Sequence, residues 1–552
     1  MAMQRTPLLM ARLIERGAAL SPDTEVVTAT AAGTRRQTNR DTLQRAHRLA
    51  HALRDAGIGV GDRVGVFMWN GSRHLEAYWA IACMGAVLHN LNVRLPGHDL
   101  DYIINHAQSK LIIADADLLP LLEPLAGRLP SVEKIVVAVE EGYEDWSTSL
   151  PGPVYYEDFI APWPDGFTWP PLDENAPLAL CYTSGTTGRP KGVEYEHRSQ
   201  YLHTMAMCMT DAMGLSATDA VFGVVPMFHV MGWGLPWAAL MLGCKQVMPH
   251  RFTSPERLVR LMADEAVTLA TGVPTIWQNL RTACMARPGA HDLSNLARIV
   301  SGGSAVPPSL ARWYWEALGV EMIQEWGMTE TSPLATFSRR RWTPSRTRSA
   351  TAPDEYLAEV AKAGQALPGL EVEIVDEEFA PLPHDGQQTG EILVRGPWVC
   401  ADYYRDPEPR KFHGDWLITG DVGRIDNRDC LVLADRSKDL VRSGGEWISS
   451  VDLENHILAL AGVAQACVVA QSHPTWDERP VALVVLDRGA ELAVDQVLEH
   501  CSNRFAKWQL PDDVLFVESI PLTSTGKMDK KAVRADLAES GYTLPGLRQA
   551  SP

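Results

Sequence analysis

A chain of 552 residues is too long for one hydrophobic core, so two or more domains are expected. Its formal charge of −18 argues against a nucleic-acid partner, because polyanions are bound by basic faces. With 46% hydrophobic and 21% charged residues and no run of 18 apolar residues, the composition is that of a soluble globular protein without an integral membrane segment. The nine cysteines are scattered singly, with no C-x-x-C pair, which suits reduced thiols rather than disulfides or zinc. The N-terminus lacks the apolar core of a signal peptide, and the expected location is cytoplasmic.

In chain order, residues 8–19 carry an amphipathic helical pattern through Leu8, Leu9, Ala11, Leu13, Ile14 and Ala18. Residues 41–53 repeat it with Leu43, Ala46, Leu49 and Leu53 on one face, and Asp41 is read as the N-cap. Strands are predicted at 63–69, 111–114 and 135–139, with a helix at 72–84 between the first two. A Pro- and Trp-rich connection, 151–171, leads to a short apolar run at 178–181 that reads as a buried strand.

That run enters the loop 182–193, Y-T-S-G-T-T-G-R-P-K-G-V. Tyr182, Thr183, Ser184, Thr186 and Thr187 bring hydroxyls; Gly185, Gly188 and Gly192 let the backbone approach a ligand; Lys191 brings a cation. Together they read as a nucleotide phosphate site. A plain glycine-rich turn is the bland alternative. A P-loop is excluded: the fifth residue after Gly185 is Pro190, and Lys191 is followed by Gly192, not by Ser or Thr.

Residues 196–213 read as helical. Strands at 220–225, 246–248, 268–270 and 297–300 then alternate with helices such as 255–264, which implies parallel sheets covered by helices. In such sheets ligands sit at the carboxyl ends of strands. The strand at 297–300 runs into Ser301, Gly302, Gly303, Ser304 and Ala305, before a helix beginning near Pro307. Residues 338–363 read as irregular, and their cluster Arg339, Arg340, Arg341, Arg346 and Arg348 as a solvated loop rather than a phosphate site. Short strands follow at 371–375 and 391–394. A small α+β unit of ferredoxin-like type closes the chain, with helices at 451–460 and 494–505 and strands at 466–470, 481–486 and 514–517; its joint is read at 436–443. The fold class is thus α/β: a large N-terminal part of helix-covered sheets with a β-rich subdomain, and a small mobile C-terminal domain. The expected boundaries are 1–435, a hinge at 436–442, and 443–552.

Six short segments occur in a telling order: 182–193, W-G-M-T-E-T at 326–331, T-G-D at 419–421, D-R-S-K-D-L at 435–440, S-G-G-E-W-I-S-S at 443–450 and P-L-T-S-T-G-K at 521–527. Their order and spacing resemble the adenylate-forming superfamily of acyl-CoA synthetases, adenylation domains and luciferases. The G-E-W-I-S-S form, P-M-F-H-V at 226–230 and F-A-K-W-Q-L-P at 505–511 are most similar to the fatty acyl-CoA synthetase branch, close to the 3-methylmercaptopropionyl-CoA ligases.

The resemblance implies an AMP-forming acid–CoA ligase using ATP, Mg²⁺ and coenzyme A. It puts Mg²⁺ between Thr183 and Glu330, and the ATP phosphates on Thr183, Ser184, Gly185, Thr186, Thr187, Gly188 and Lys191. Gly303, Ser304 and Ala305 would face the adenosine, as would the run Gln324, Glu325, Trp326, Gly327, Met328 and Thr329, with Trp326 against the adenine. Asp421 would accept from the ribose hydroxyls; Arg436, Lys438, Arg442 and Trp447 complete the expected nucleotide set. Lys527 is the expected catalytic lysine, with Thr183 and Glu330 beside it; the bland reading of Lys527 is a solvated surface lysine. His229, Val230, Trp233 and Gly303 are the expected acyl-binding residues, while Trp237 and Trp277 are read as core. Lys438, Ser443, Gly444 and Gly445 would serve the hinge and the coenzyme A step.

The expected substrate is a medium- to long-chain fatty acid, with 3-methylmercaptopropionate or another short or aryl acid as runner-up. No carboxylate occurs in 227–230, where amino-acid-activating relatives carry one, which argues against amino acids. Readings of another class are a non-catalytic nucleotide sensor and a loader of a carrier protein in trans. A homodimer is expected, because the N-terminal helix resembles one that relatives use in dimers.

Overall fold

The computed structural model describes the chain apart from residues 1–2, 141–142, 144, 184–188, 339–352, 407–410, 437, 445, 524–525 and 546–552. Seven strands form one sheet in the order Pro153–Tyr155, Lys134–Ala138, Leu111–Asp115, Arg63–Phe67, Val87–Asn90, Pro177–Tyr182 and Gly192–Glu196. All its pairs are parallel except the last, in which Pro177–Tyr182 runs antiparallel to Gly192–Glu196. A nine-stranded sheet carries Leu269–Gly272, Arg298–Ser301 and Glu321–Gly327 side by side and parallel. A third, antiparallel sheet is built from Glu371–Val375, Gly390–Arg395, Phe412–His413, Trp416–Ile425 and Leu431–Arg436. A fourth holds Val441–Ser443, Glu446–Ile448, Val463–His473, Asp477–Leu486 and Asp513–Phe516, with helices Ser450–Ile457, Val494–Ser502 and Lys530–Glu539 in the same stretch of chain.

The core follows from apolar patterning. Helix Ser72–Cys83 is buried at every position but Arg73, its buried Glu76 paired with Arg45, and helix Leu235–Leu242 is buried almost throughout, as expected of a helix without a polar face. Trp79, Trp237 and Trp277 are among the largest fully buried side chains, so the core reading of Trp237 and Trp277 stands. Helix Met10–Leu20 docks on Leu235–Leu242, with the Arg16 guanidinium donating to the Met241 carbonyl at 3.1 Å. All nine cysteines are free.

Three sequence expectations need correction. Helix Asn39–Asp55 is capped by Thr38, whose hydroxyl accepts from the Asp41 amide; Asp41 is the third helical residue and closes the capping box. The helix expected at 196–213 ends at Met207, where the chain turns. Within the stretch read as irregular, Asp354–Val360 is helical, and its Tyr356 hydroxyl accepts from the Met322 amide. The arginine cluster at 339–348 and the loop residues Ser184, Gly185, Thr186, Thr187 and Gly188 lie outside the described residues, as does Gly445.

Candidate active site

The carboxyl ends of the parallel strands open onto one cavity of about 700 Å³. Thr183 and Lys191 frame the glycine-rich loop there. The Thr183 amide donates to the Lys191 carbonyl at 2.9 Å, and the Lys191 amide donates to the Thr183 hydroxyl at 3.1 Å. Thr183 and Lys191 are thus paired in antiparallel fashion, and the Lys191 ammonium lies 4.9 Å from the Tyr403 ring centre.

Glu330 stands in the short 3₁₀ turn Thr329–Thr331 and is buried. The Tyr403 hydroxyl donates to its Oε1 at 2.6 Å. Burial raises its pKa, which the Tyr403 hydrogen bond partly opposes. The Tyr195 hydroxyl holds the preceding turn by donating to the Thr329 carbonyl at 2.6 Å.

Asp421 and Arg436 face each other across the antiparallel pair Trp416–Ile425 and Leu431–Arg436. The Trp326 indole N–H donates to Asp421 Oδ2 at 2.8 Å, while Arg436 Nε lies 3.5 Å from Oδ1. Trp326 is thus buried and tied to the carboxylate expected to meet a ribose. Gly327, Met328 and Thr329 line the same cavity; Ser304 and Ala305 line the space adjoining it. Gln324 does not reach the 700 Å³ cavity. Its carboxamide oxygen accepts from the Val306 amide at 2.6 Å and so fixes the glycine turn from behind.

Lys527 arrives on a loop closed by its own backbone: the Thr523 amide donates to the Lys527 carbonyl at 2.7 Å. The Thr275 hydroxyl donates to the Gly526 carbonyl at 2.8 Å and ties this loop to the large part. The lysine chain lies on Gly303, where a Cβ would stand 2.6 Å from its Cε; any side chain there would displace it. Gly303 also has φ of +82°, a conformation that favours glycine. Burial, with repulsion from Arg436, lowers the Lys527 pKa to about 8, although Glu325 and Asp421 pull the other way. His229 lines the same cavity and is held neutral, its pKa pushed down to about 3 by burial, with Lys527 and Arg94 adding repulsion. Val230 and Trp233 form an apolar wall.

The residues around the cavity suit a polyanion. Arg189, Lys191, Lys411, Arg436, Lys438 and Lys527 line it in a protein of net charge −18. Burial lowers the Lys438 pKa. The donor set also fits Mg²⁺: Thr183 and Glu330 offer hard oxygens to one space, and among the described residues no group of three or more His, Cys, Asp or Glu side chains is arranged to hold a metal ion. Mg²⁺ is commonly held by one or two carboxylates plus phosphate oxygens and water, so a denser cage is not required.

Arg442 and Trp447 are not brought to this cavity. They stack on each other at 4.1 Å, with Trp447 43% exposed. Ser443 and Gly444 also lie apart from it: Ser443 is buried and accepts from Arg479 at 2.7 Å, and the Gly444 amide donates to the Trp476 carbonyl. Tyr403, Lys411, Arg189 and Asp406 line the cavity without having been singled out. Arg189 lay within the recognised loop and was legible there; the other three sit in a stretch without a motif.

Residues 14–404 match the family described as AMP-binding enzyme, and residues 452–527 match the AMP-binding enzyme C-terminal domain. The chain is 40% identical over 533 residues to a medium-chain-fatty-acid–CoA ligase of Ectopseudomonas oleovorans, covering 96% of each chain. It is 40% identical over 543 residues to a 3-methylmercaptopropionyl-CoA ligase of Ruegeria lacuscaerulensis, covering 98% of this chain and 99% of the relative. A long-chain-fatty-acid–CoA ligase of Thermus thermophilus is 43% identical over 526 residues, 94% of each chain. Among solved structures, the anthranilate CoA ligase AuaEII in complex with anthranoyl-AMP superposes with a TM-score of 0.85 at 25% identity, over 98% of this chain and all of that one. With both regions matched and relatives alike along nearly the whole length, the chain belongs to the AMP-binding enzyme family.

Proposed function

We propose that this chain is an AMP-forming acid–CoA ligase acting on a medium- to long-chain fatty acid. The observation that carries the reading is one cavity holding six cationic side chains, the Thr183–Glu330 oxygen pair, and Lys527 against Gly303 beside an apolar wall. In the first half-reaction a carboxylate oxygen of the acid attacks the α-phosphate of ATP. The bond to the β-phosphate side breaks, and pyrophosphate leaves. In the second, the thiol of coenzyme A attacks the acyl carbon, loses its proton, and AMP leaves.

Two anions must meet in the first step, so catalysis is mainly positioning and charge neutralisation. The Lys527 ammonium bridges the acid's carboxylate and the α-phosphate as charge shifts between them. Lys191 and the loop backbone hold the outer phosphates, and Arg436 with Asp421 orients the ribose side. Neutral His229 lines the acid's approach without adding charge. Thr183 and Glu330 would hold Mg²⁺, which supplies neutralisation of the phosphate oxygens when bound.

The joint at 436–442 and the domains on either side of it belong to the same proposal. So do a role for Ser443, Gly444 and Gly445 in the coenzyme A step, a homodimer, and a cytoplasmic location. Among the described residues, no helix is long and apolar enough to cross a membrane. A short thioether or aryl acid is the second reading. It is favoured by the segment Val230–Gly234, since Val230 and Trp233 wall the large cavity while Gly232 borders a separate void of only about 20 Å³.

The test is acid-dependent pyrophosphate release followed by CoA-dependent AMP release, across acids of three to eighteen carbons plus 3-methylmercaptopropionate, with sedimentation run alongside. The expected result is release with a subset of these acids by a dimer. No pyrophosphate with any acid would overturn the ligase reading in favour of a sensor. Adenylate formation without CoA-dependent turnover would favour a carrier-protein loader, and a monomer would remove the dimer.

A further inference from the structure

Three consecutive residues of strand Glu321–Gly327 have side chains capable of polar contacts. Gln324 is engaged with the Val306 amide and Trp326 with Asp421. Glu325, between them, is 4% exposed, and its Oε2 has no hydrogen-bond partner. Its carboxyl fills the space beside Gly302 where a side chain would begin: a Cβ there would fall 1.3 Å from Glu325 Oε1. Glu325 lines the cavity with His229, Val230, Trp233 and Lys527. Lys527 acts on it through space, and no hydrogen bond or ion pair joins the two.

A buried carboxyl with an unmade hydrogen bond is destabilising, and such groups call for an explanation in function. Burial raises its pKa to about 8, which leaves it largely protonated at neutral pH, with one donor and acceptor capacity to spare. A simple alkyl chain offers that group nothing.

We propose that Glu325 is a specificity residue whose carboxyl hydrogen-bonds a donor substituent, hydroxyl or amine, carried by the acid close to its carboxylate. The position follows from the glycine pair. Lys527 lies against Gly303 and Glu325 against Gly302, and consecutive Cα atoms are about 3.8 Å apart. A substituent on the second or third carbon of an acid held at Lys527 therefore reaches Glu325, while the rest of the chain stays against Val230 and Trp233. This rests on the ligase reading and on Lys527 as the partner of the acid's carboxylate.

The experiment compares kcat/KM for pyrophosphate release with octanoate, 3-hydroxyoctanoate and 3-aminooctanoate, in the wild type, Glu325→Ala and Glu325→Gln. The wild type is expected to prefer at least one substituted acid over octanoate by about tenfold or more, because a site with a polar group to satisfy discriminates against the analogue lacking its partner. Glu325→Ala should erase that preference, read as the ratio of the kcat/KM values for the substituted acids to that for octanoate. Glu325→Gln keeps a donor and an acceptor without a charge. A bound ammonium would draw the Glu325 carboxyl into its charged form, which Gln cannot take, so this variant should hold a hydroxyl preference and lose an amine preference; that separates the two sources of the donor and guards against a misfolded alanine variant. An unchanged ratio in Glu325→Ala overturns the inference. So does a parallel loss with all three acids in both variants, which would make Glu325 a support for Lys527 instead. Wild type active on octanoate without any preference fails this inference alone. Wild type silent on these and every other acid fails the ligase reading and this inference with it.

Discussion

Lys527 and Glu325 show how a site is set by what two neighbouring glycines leave open. Each long side chain occupies space that a Cβ on Gly303 or Gly302 would claim. Lys527 is buried against the large part of the molecule, and its lowered pKa reflects that burial. On the proposed mechanism only the ammonium form neutralises the meeting anions, so kcat/KM for pyrophosphate release should fall as pH rises through about 8. Bound anions favour the charged form, so the limb in kcat should lie at higher pH. Lys527→Ala should reduce adenylate formation by at least about 100-fold, while supplied acyl-AMP is still converted to thioester. Equal loss in both half-reactions would refute that division of labour. The motif around Lys527 was readable along the chain, but Glu325 was expected only to face the adenosine, not to line a cavity with Val230 and Trp233. The search for a carboxylate looked at 227–230, and Glu325 comes to the same cavity from a different strand.

At the scale of elements, periodicity placed most helices and strands, because apolar spacing reports which face is buried. Helix Pro255–Asp264 and strand Glu371–Val375 have the ends expected of them. Helix ends were less legible. Thr38 and Asp41 are both good N-terminal residues, and in a capping box the threonine is the cap while the acid answers from the third position. Thr38→Ala should remove the two hydrogen bonds its hydroxyl makes with Asp41 and lower stability by about 1 kcal/mol, seen as a reduced Tm with adenylation kinetics unchanged. No change in Tm would mean that tertiary packing alone holds the helix start. The Asp354–Val360 helix was missed because seven residues are too few to establish a helical period.

At the scale of the whole molecule, the C-terminal part meets the large part through specific bonds. Besides Thr275 to Gly526, the Ser449 hydroxyl donates to the Ala434 carbonyl at 2.6 Å, and Asp435 accepts from the Ser450 amide at 2.9 Å. This arrangement brings Lys527 to the cavity and leaves Ser443, Gly444, Arg442 and Trp447 outside it. On the proposed two-step reaction, the second half-reaction needs the chain to turn near Lys438. Proline there would fix φ near −65° and restrict that turn. Lys438→Pro should therefore slow CoA-dependent thioester formation more than single-turnover pyrophosphate release. Thioester formation at the wild-type rate would count against a hinge at this position.

Motif order alone carried the family and the α/β class, and it singled out many of the residues that line the cavity, because glycine-rich loops and strand-end turns are local devices written in consecutive residues. Tertiary structure decided the rest. It chose Tyr403 as the partner of Glu330, tied Trp326 to Asp421, and set Lys411 and Glu325 in one cavity. These residues are neighbours only once strands from different sheets converge, and neither local propensity nor periodicity encodes which distant side chains share a buried space.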